Sequence, residues 1–360
     1  MTKVGHSVVR PPSFVLRLSS IVYRLRLFPF QMGGKIFPMN DLTIRPFRYT
    51  DLDAVLAIAR ESFADEMTAQ GINPDDFEQH LRYITRGRMI PFSVLSALSG
   101  ITYEIFVAEQ AGTVVGCGVY AGRRRMYLST LMVMPAYRRR GIGQALLVKR
   151  LQRIKERGYS SATVMVLPTN NASLGNLGKQ DFEVFAQTSL YERALPWTPS
   201  QTNGMPDLVG RPVRRADQAA FALLEQAITK PIVLQVTDSL STDFFQSIWD
   251  RLFARFTRAP VWSRCYERAG NVIGFLMAVS STGPTQGLMS VPILRDEDSA
   301  ALPMMLADAA QWLTEAGKTT VQMPVPDERH QLIAYLQREG WTKGVSWTHL
   351  AKRFDAARQA

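Results

Sequence analysis

A mixed α/β fold, present twice in tandem, is what this sequence predicts. Three observations carry that reading. Along the first half the hydrophobic period switches repeatedly between that of strands and that of helices. A set of landmarks then recurs in the same order at offsets of 158 to 166 residues. The stretch from Leu195 to Pro206, with three prolines and a glycine, separates the two sets as a linker would.

The elements of the first copy follow in order. Leu42 to Arg48 alternates as a strand, and Asp51 is a helix N-cap before Leu52, Val55, Leu56, Ile58 and Ala59 at helical spacing. A second helical region is expected over Phe77 to Ile84. Ile105 to Glu109 and Val114 to Tyr120 read as strands joined by a hairpin turn at Ala111-Gly112. Met126 to Met134 is a further strand. Gln144 to Arg157 is a helix whose inward face carries Ala145, Leu146, Leu147, Leu151 and Ile154, with Gly158 as its C-cap. Ser161 to Leu167 is a strand, Ser173 to Lys179 a short helix and Val184 to Arg193 further strand. The order is mixed rather than simply alternating, which excludes a doubly wound parallel sheet.

The repeat is explicit in the residues. Leu42, Arg45-Pro46, Arg48 and Asp51 reappear as Leu208, Arg211-Pro212, Arg214 and Asp217. Glu109, Gly112 and Gly116 reappear as Glu267, Gly270 and Gly274, and Asp181-Phe182 as Gly340-Trp341. The division expected is a basic extension over 1–38, a first domain over 39–194, a linker over 195–207 and a second domain over 208–355. The extension is expected to be disordered, with Met39 a possible true start. It holds six basic residues and no acid.

Composition narrows the function classes. The chain has 360 residues, enough for two domains at roughly 150 each. A 46% hydrophobic and 20% charged content is that of a globular protein. Cys117 and Cys265 are too few for a disulfide scaffold or a multi-cysteine zinc site. His6, His80, His330 and His349 form no ligand spacing, so no metal is expected. A reducing, cytoplasmic setting fits this usage. Of the net charge of +11, six units lie in the extension, so the basic balance of the body is too weak to argue for nucleic acid. No apolar run reaches the roughly 18 residues a bilayer span needs.

The chemistry concentrates after the strand ending near Met134. Arg138, Arg139 and Arg140 precede Gly141, Ile142, Gly143 and Gln144, where the amphipathic helix begins. A helix N-terminus offers unpaired N–H groups and partial positive charge. Glycines there let a ligand approach the backbone, and arginines add charge for phosphate. The pattern describes a pyrophosphate cradle, while an arginine run alone is equally a solvated surface.

This segment resembles the acyl-CoA signature of the GCN5-related N-acetyltransferases (GNAT), Arg/Gln-x-x-Gly-x-Gly/Ala, met at Arg138, Gly141 and Gly143. The resemblance extends over residues 42–193 in element order. It implies tandem GNAT-like domains, each a mostly antiparallel twisted sheet flanked by helices, with the fourth and fifth strands splayed apart near Val133. It further implies that backbone amides from Arg139 to Gln144 hold the pyrophosphate of acetyl-CoA and that Leu131, Met132 and Val133 pair with its pantetheine arm. Asn171 and Ser173 fall where the family contacts the cofactor. Phe182 matches the aromatic of the family's Gly-Phe pair, with Asp181 in place of the glycine.

The expected reaction is acetyl transfer from acetyl-CoA to a small primary amine, by direct attack in a ternary complex. The alternative is an acyl-CoA-binding sensor without turnover. Leu177 stands where the family often has a donor tyrosine, and neither Met126–Met134 nor Ser161–Leu167 contains a carboxylate. Tyr191, Ser129 and Glu104 remain as candidates for proton transfer, each with an ordinary strand reading beside it. The acceptor is expected to meet residues within Phe63–Gly100. In the second copy the cradle stretch, Val291 to Pro303, has no glycine and carries Asp296, Glu297 and Asp298, so that copy is expected to keep the fold without the cofactor. A monomer or a homodimer is compatible with the tandem arrangement.

Overall fold

Strand and helix sequences assort into two compact units in the computed structural model, which describes residues 41–69, 102–123, 125–200, 207–245, 260–280 and 285–354. The expectations for residues 1–38, for Phe77–Ile84 and for most of the acceptor region over Phe63–Gly100 lie outside the described residues. The front unit comprises the described residues up to Phe185 and those from His349 onward; the rear unit runs from Ala186 to Thr348.

The front unit follows the predicted order. Strand β1 (Leu42–Pro46) leads through a 3-10 turn at Tyr49–Asp51 to helix α1 (Leu52–Ala69). Strands β2 (Thr102–Gln110), β3 (Thr113–Gly122) and β4 (Met126–Val133) follow, then helix α2 (Ile142–Glu156), β5 (Ser161–Val166) and helix α3 (Asn171–Gly178). The β2–β3 hairpin turns at Ala111 and Gly112 with φ of 47° and 78°, the left-handed conformation that such a two-residue turn requires. The strands run β1-β2-β3-β4-β5, antiparallel except for the parallel β4–β5 pair.

Burial explains the two helical layers. On one sheet face Leu146, Leu147, Leu151 and Ile154 of α2 meet Phe106, Tyr120, Met126 and Leu128. On the other, Ile58 and Ala59 of α1 meet Val107, Val114, Cys117 and Met132. Each fully buried aliphatic side chain here contributes about 1.5–3 kcal/mol.

The rear unit contains β7 (Leu208–Pro212), helices α4 (Gln218–Ile228), α5 (Pro231–Val236) and α6 (Ser241–Phe244), and β8 (Val261–Arg268). It continues with β9 (Asn271–Ser280), β10 (Gln286–Met289), β11 (Ile293–Leu294), α7 (Leu302–Glu315), β12 (Thr320–Pro326) and α8 (His330–Arg338). Its strands run β12-β10-β9-β8-β7, with β11 on β9.

The last strands of the two copies are exchanged. Strand β6 (Glu183–Ala194) leaves the front unit at Phe185, and its remainder pairs antiparallel with β12, from Thr188 opposite Pro326 to Ala194 opposite Thr320. Strand β13 (Thr342–Arg353) belongs to the rear unit up to Thr348 and to the front unit from His349. In the front unit it lies beside β5, with the Phe354 N–H donating to Ser160 O at 2.9 Å and Lys352 Nζ donating to Gln180 O at 2.7 Å. Leu350 is buried in the α2 core. The repeat and the compact unit are therefore different divisions of this chain. The expected boundary at 195–207 marks the repeat, whereas the units divide within β6 and β13. Leu195 and Trp197, at the start of the expected linker, are buried in the rear core, where Trp197 meets Trp341 edge to face at 5.6 Å.

Candidate active site

The front unit places an open helix N-terminus after the end of β4. Pro135–Tyr137 forms a 3-10 turn, and the chain then passes through Arg139 at φ 61° and Gly141 at φ 79°. Two left-handed residues with one residue between them turn neighbouring N–H groups to one side, the geometry of an anion nest. Gly141 is the N-cap of α2 and provides no side-chain hydrogen bond, so the first-turn amides have no capping oxygen. Arg138 donates to Val133 O at 3.1 Å, and Arg140 donates to Ala136 O at 2.7 Å while its guanidinium lies 4.9 Å from the Tyr137 ring centre. These contacts tie two of the three arginines to the backbone of the turn at the protein surface.

Gly143 has a different reason for being glycine. A Cβ there would come no closer than 3.8 Å to Asn176 Nδ2 and 3.9 Å to Val133 Cγ2, ordinary contact distances. Nothing among the described residues forbids a side chain, so the space beside the helix can admit a ligand. The residues present thus fit a diphosphate: uncapped amides, a nest and three guanidinium groups.

Beside this cradle the sheet opens, as predicted. β4 and β5 pair at Met126–Ala162, Tyr127–Thr163 and Leu128–Val164, and their ladder stops there. The opening begins after Leu128, five residues earlier than the expected splay at Val133. Leu131, Met132 and Val133 pair with Gly118, Cys117 and Gly116 of β3 on their other side. Their second edge therefore faces the opening, where an extended arm would add as a strand does. Asn170 caps α3, its side chain accepting from Ser173 N at 3.0 Å. Asn171 and Ser173 lie in the first turn of that helix. Asn176, one turn beyond Ser173, is the α3 residue nearest Gly143; its spacing from Ser173 was a readable signal that the sequence reading did not use.

The expected proton-transfer residues are not brought together. Ser129 sits at the end of the β4–β5 ladder, where its Oγ accepts from Thr130 N at 2.5 Å. Glu104 is engaged elsewhere: it accepts from Tyr120 Oη at 2.7 Å and from Arg153 Nε at 3.3 Å, and is ion-paired with Arg157. Burial and this carboxylate hold the Tyr120 phenol protonated far above its ordinary range. Tyr191 belongs to the rear unit, buried in its core opposite Met323. Its strand, β6, crosses out of the front unit at Phe185. Burial, with Asp327 nearby, raises its pKa. Leu177 is buried in the α2 core. Cys117 is buried, and desolvation pushes its thiol up to about 12, which suits a packing role.

The rear copy arranges the equivalent stretch otherwise. Asp296–Ala301 forms a 3-10 turn with three acids leading into α7. Arg329 reaches across and donates to Leu294 O at 3.0 Å and Pro292 O at 3.5 Å. Pro292 stands, at the repeat offset of 159, where the front copy has Val133. No group of His, Cys, Asp or Glu able to hold a metal occurs among the described residues.

Comparison with known proteins adds an independent line. Residues 73–182 match the model of the acetyltransferase (GNAT) family. No curated protein matches the sequence. Among solved structures, the chain is similar to a tandem GNAT protein from the clavulanic acid biosynthesis pathway, with 16% identity and a TM-score of 0.55 over 89% of this chain and 100% of that one. A GCN5-related N-acetyltransferase from Sphaerobacter thermophilus matches at 14% identity and a TM-score of 0.59, over 87% and 96%. The GCN5-related glucosamine N-acetyltransferase region of a fungal multi-domain GH3 β-N-acetylglucosaminidase matches at 14% and 0.56, over 86% of this chain and 38% of that one. At these identities the structures establish shared fold. The sequence match thus places a GNAT-family domain over residues 73–182 of the front copy, and the solved structures show that the GNAT fold is shared across both copies.

Proposed function

We propose that the front unit transfers an acetyl group from acetyl-CoA to a primary amine of a small molecule, by direct attack in a ternary complex. The observation that carries this reading is the nest at Arg139–Gly141 opening onto an uncapped helix beside the β4–β5 gap. Acetyl-CoA, when bound, supplies the thioester. The amides from Arg139 to Gln144, with Arg138 and Arg140, bind the diphosphate; Leu131 to Val133 align the arm; Asn171 and Ser173 contribute from α3. With Glu104 engaged by Tyr120, Arg153 and Arg157, the amine loses its proton to solvent, and orientation does most of the catalytic work. Arg329 and the acids at 296–298 support a rear copy that keeps the fold and does not bind the nucleotide. No described helix is long and apolar enough to cross a membrane; a cytoplasmic protein, monomeric or homodimeric, accords with the proposal.

The test is calorimetry of acetyl-CoA binding. Gly143→Glu places a carboxylate where the diphosphate would lie and is expected to abolish binding; unchanged affinity would sink the assignment. A second reading, an acyl-CoA sensor, is favoured by the engagement of Glu104 with Tyr120, Arg153 and Arg157. Thiol release across a panel of amines separates the two: intact binding with no release from any amine selects the sensor.

A further inference from the structure

Helix α2 has an arginine in its inward stripe. Leu146, Leu147, Leu151 and Ile154 are buried, and Arg150 stands among them at 1% exposure. Arginine at such depth ordinarily meets a carboxylate. Among the described residues the Arg150 guanidinium instead meets only carbonyl oxygens. Nη1 donates to Val119 O at 2.9 Å and to Thr130 O at 3.3 Å, and Nε donates to Leu146 O at 3.3 Å. Burial pushes its pKa down to about 10, which still leaves it protonated at neutral pH.

Val119 and Thr130 mark a particular place in the sheet. Gly118 pairs with Leu131 and Tyr120 with Leu128, so Val119 alone opposes both Ser129 and Thr130. That is a β-bulge, which leaves ladder groups unpaired and bends the strand. The Arg150 donors meet carbonyls on both strands of the bulge. The bulge also coincides with the parting of β4 from β5, whose last paired rung is Leu128–Val164. Glycine at 118 leaves the guanidinium its room: a Cβ there would lie 3.0 Å from Arg150 Nε and 3.2 Å from its Cδ and Cζ.

We infer that Arg150 is a positioning residue, which holds the Ser129–Thr130 bulge and thereby aims the β4 backbone of Leu131 to Val133 at the gap. This rests on the acetyltransferase reading above. Its mechanism is indirect: the donors that polarise a thioester carbonyl must be fixed to a fraction of an ångström, and a bulge without a brace is free to slip.

The experiment measures Arg150→Met and Arg150→Lys by amide hydrogen exchange, acetyl-CoA calorimetry and steady-state kinetics. In Arg150→Met, exchange at Thr130–Val133 is expected to quicken while that of β2 and of the α2 N-terminus does not. Acetyl-CoA affinity is expected to stay within about threefold, and kcat to fall by roughly 10- to 100-fold, the cost of a misplacement near 1 Å. Arg150→Lys is expected to recover part of kcat. Gly118→Ala, which crowds the guanidinium without removing its charge, provides a second route and should give the same local exchange pattern should Arg150→Met not fold. Unchanged exchange at Thr130–Val133 overturns the inference whatever the activity. So does faster exchange with unaltered kcat, or a rise in KM for acetyl-CoA that accounts for the whole defect. Absence of turnover by the unaltered protein sinks the acetyltransferase reading and Arg150's part in it, a result that the exchange data keep distinct from loss of the brace.

Discussion

Arg45 and Arg211 explain why their neighbourhoods are the clearest landmarks of the repeat. Arg45 donates to both oxygens of Asp51, at 2.7 and 2.9 Å, and through Nε to Glu109 at 2.6 Å. Arg211 does the same with Asp217, at 2.8 and 2.7 Å, and with Glu267 at 2.8 Å. Each aspartate also accepts a backbone N–H, from Arg48 or Arg214, at 2.7 Å. The triad ties the first strand, the turn after it and the neighbouring strand into one corner, in both copies. Hydrogen bonding to the guanidinium holds the Asp51 and Asp217 carboxyls below their ordinary range. A depressed folded pKa stabilises above the unfolded value, near 3.9, and that stabilisation is lost as pH falls through the folded value. Asp51→Asn is expected to cost about 2 kcal/mol at pH 7, as the loss of charge-assisted bonds does. Thermal melts of the unaltered protein and of Asp51→Asn/Asp217→Asn should converge as pH drops below about 4. A constant gap between them at every pH would show that the carboxylate charge is not what matters.

These triads were legible, because identical residue types at identical spacing announce a shared structural need. Gly141 and the cradle were legible for the same kind of reason, since left-handed backbone and uncapped amides leave a local mark in the sequence. Arg150 was not read, although its place three residues after Leu147 and four after Leu146 puts it on the inward stripe. An arginine in a helix is usually solvated, and only the bulge it braces shows otherwise. Asp181 shows the reverse case: the sequence has lost the glycine found at its counterpart Gly340, yet the backbone keeps the left-handed turn, with φ of 55° and 74°. Aspartate tolerates that region better than most residues.

At the scale of the element, β6 and β13 mark the limit of sequence reading. Alternation predicts that each is a strand and which face is apolar, but not which sheet receives it, since period-2 burial is satisfied equally by either host. The structure gives Tyr191 to the rear core and Leu350 to the front core. Leu350→Ala is therefore expected to cost about 2–5 kcal/mol in the front unit, although the residue lies in the rear repeat. Amide exchange should quicken in α2 and β5 and remain as before in β8 and β9. Faster exchange confined to the rear unit would refute the assignment of β13.

For the whole molecule, exchange of strands makes each half of the sequence an incomplete protein. A segment spanning residues 39–194 lacks the strand that covers β5, and one spanning 208–355 lacks the strand that pairs with β12. Exposed strand edges of this kind aggregate. Expressed singly, both segments are expected to be insoluble; expressed together, they are expected to copurify and to bind acetyl-CoA. A soluble, cooperatively melting segment 39–194 would contradict this. The proline-rich stretch is thus a poor guide to where the polypeptide can be cut.

The shared β13 also bears on how the molecule is made. Ribosomes add about 5–20 residues each second, and 163 residues separate Phe185 from His349. The front unit must wait on the order of ten to thirty seconds after its residues up to Phe185 have emerged before its closing strand is synthesised. During that interval β5 is an open template, vulnerable to chaperone capture or to pairing with another nascent chain. A premature stop codon between positions 342 and 348 would spare every residue of the cradle and still remove the strand that closes β5.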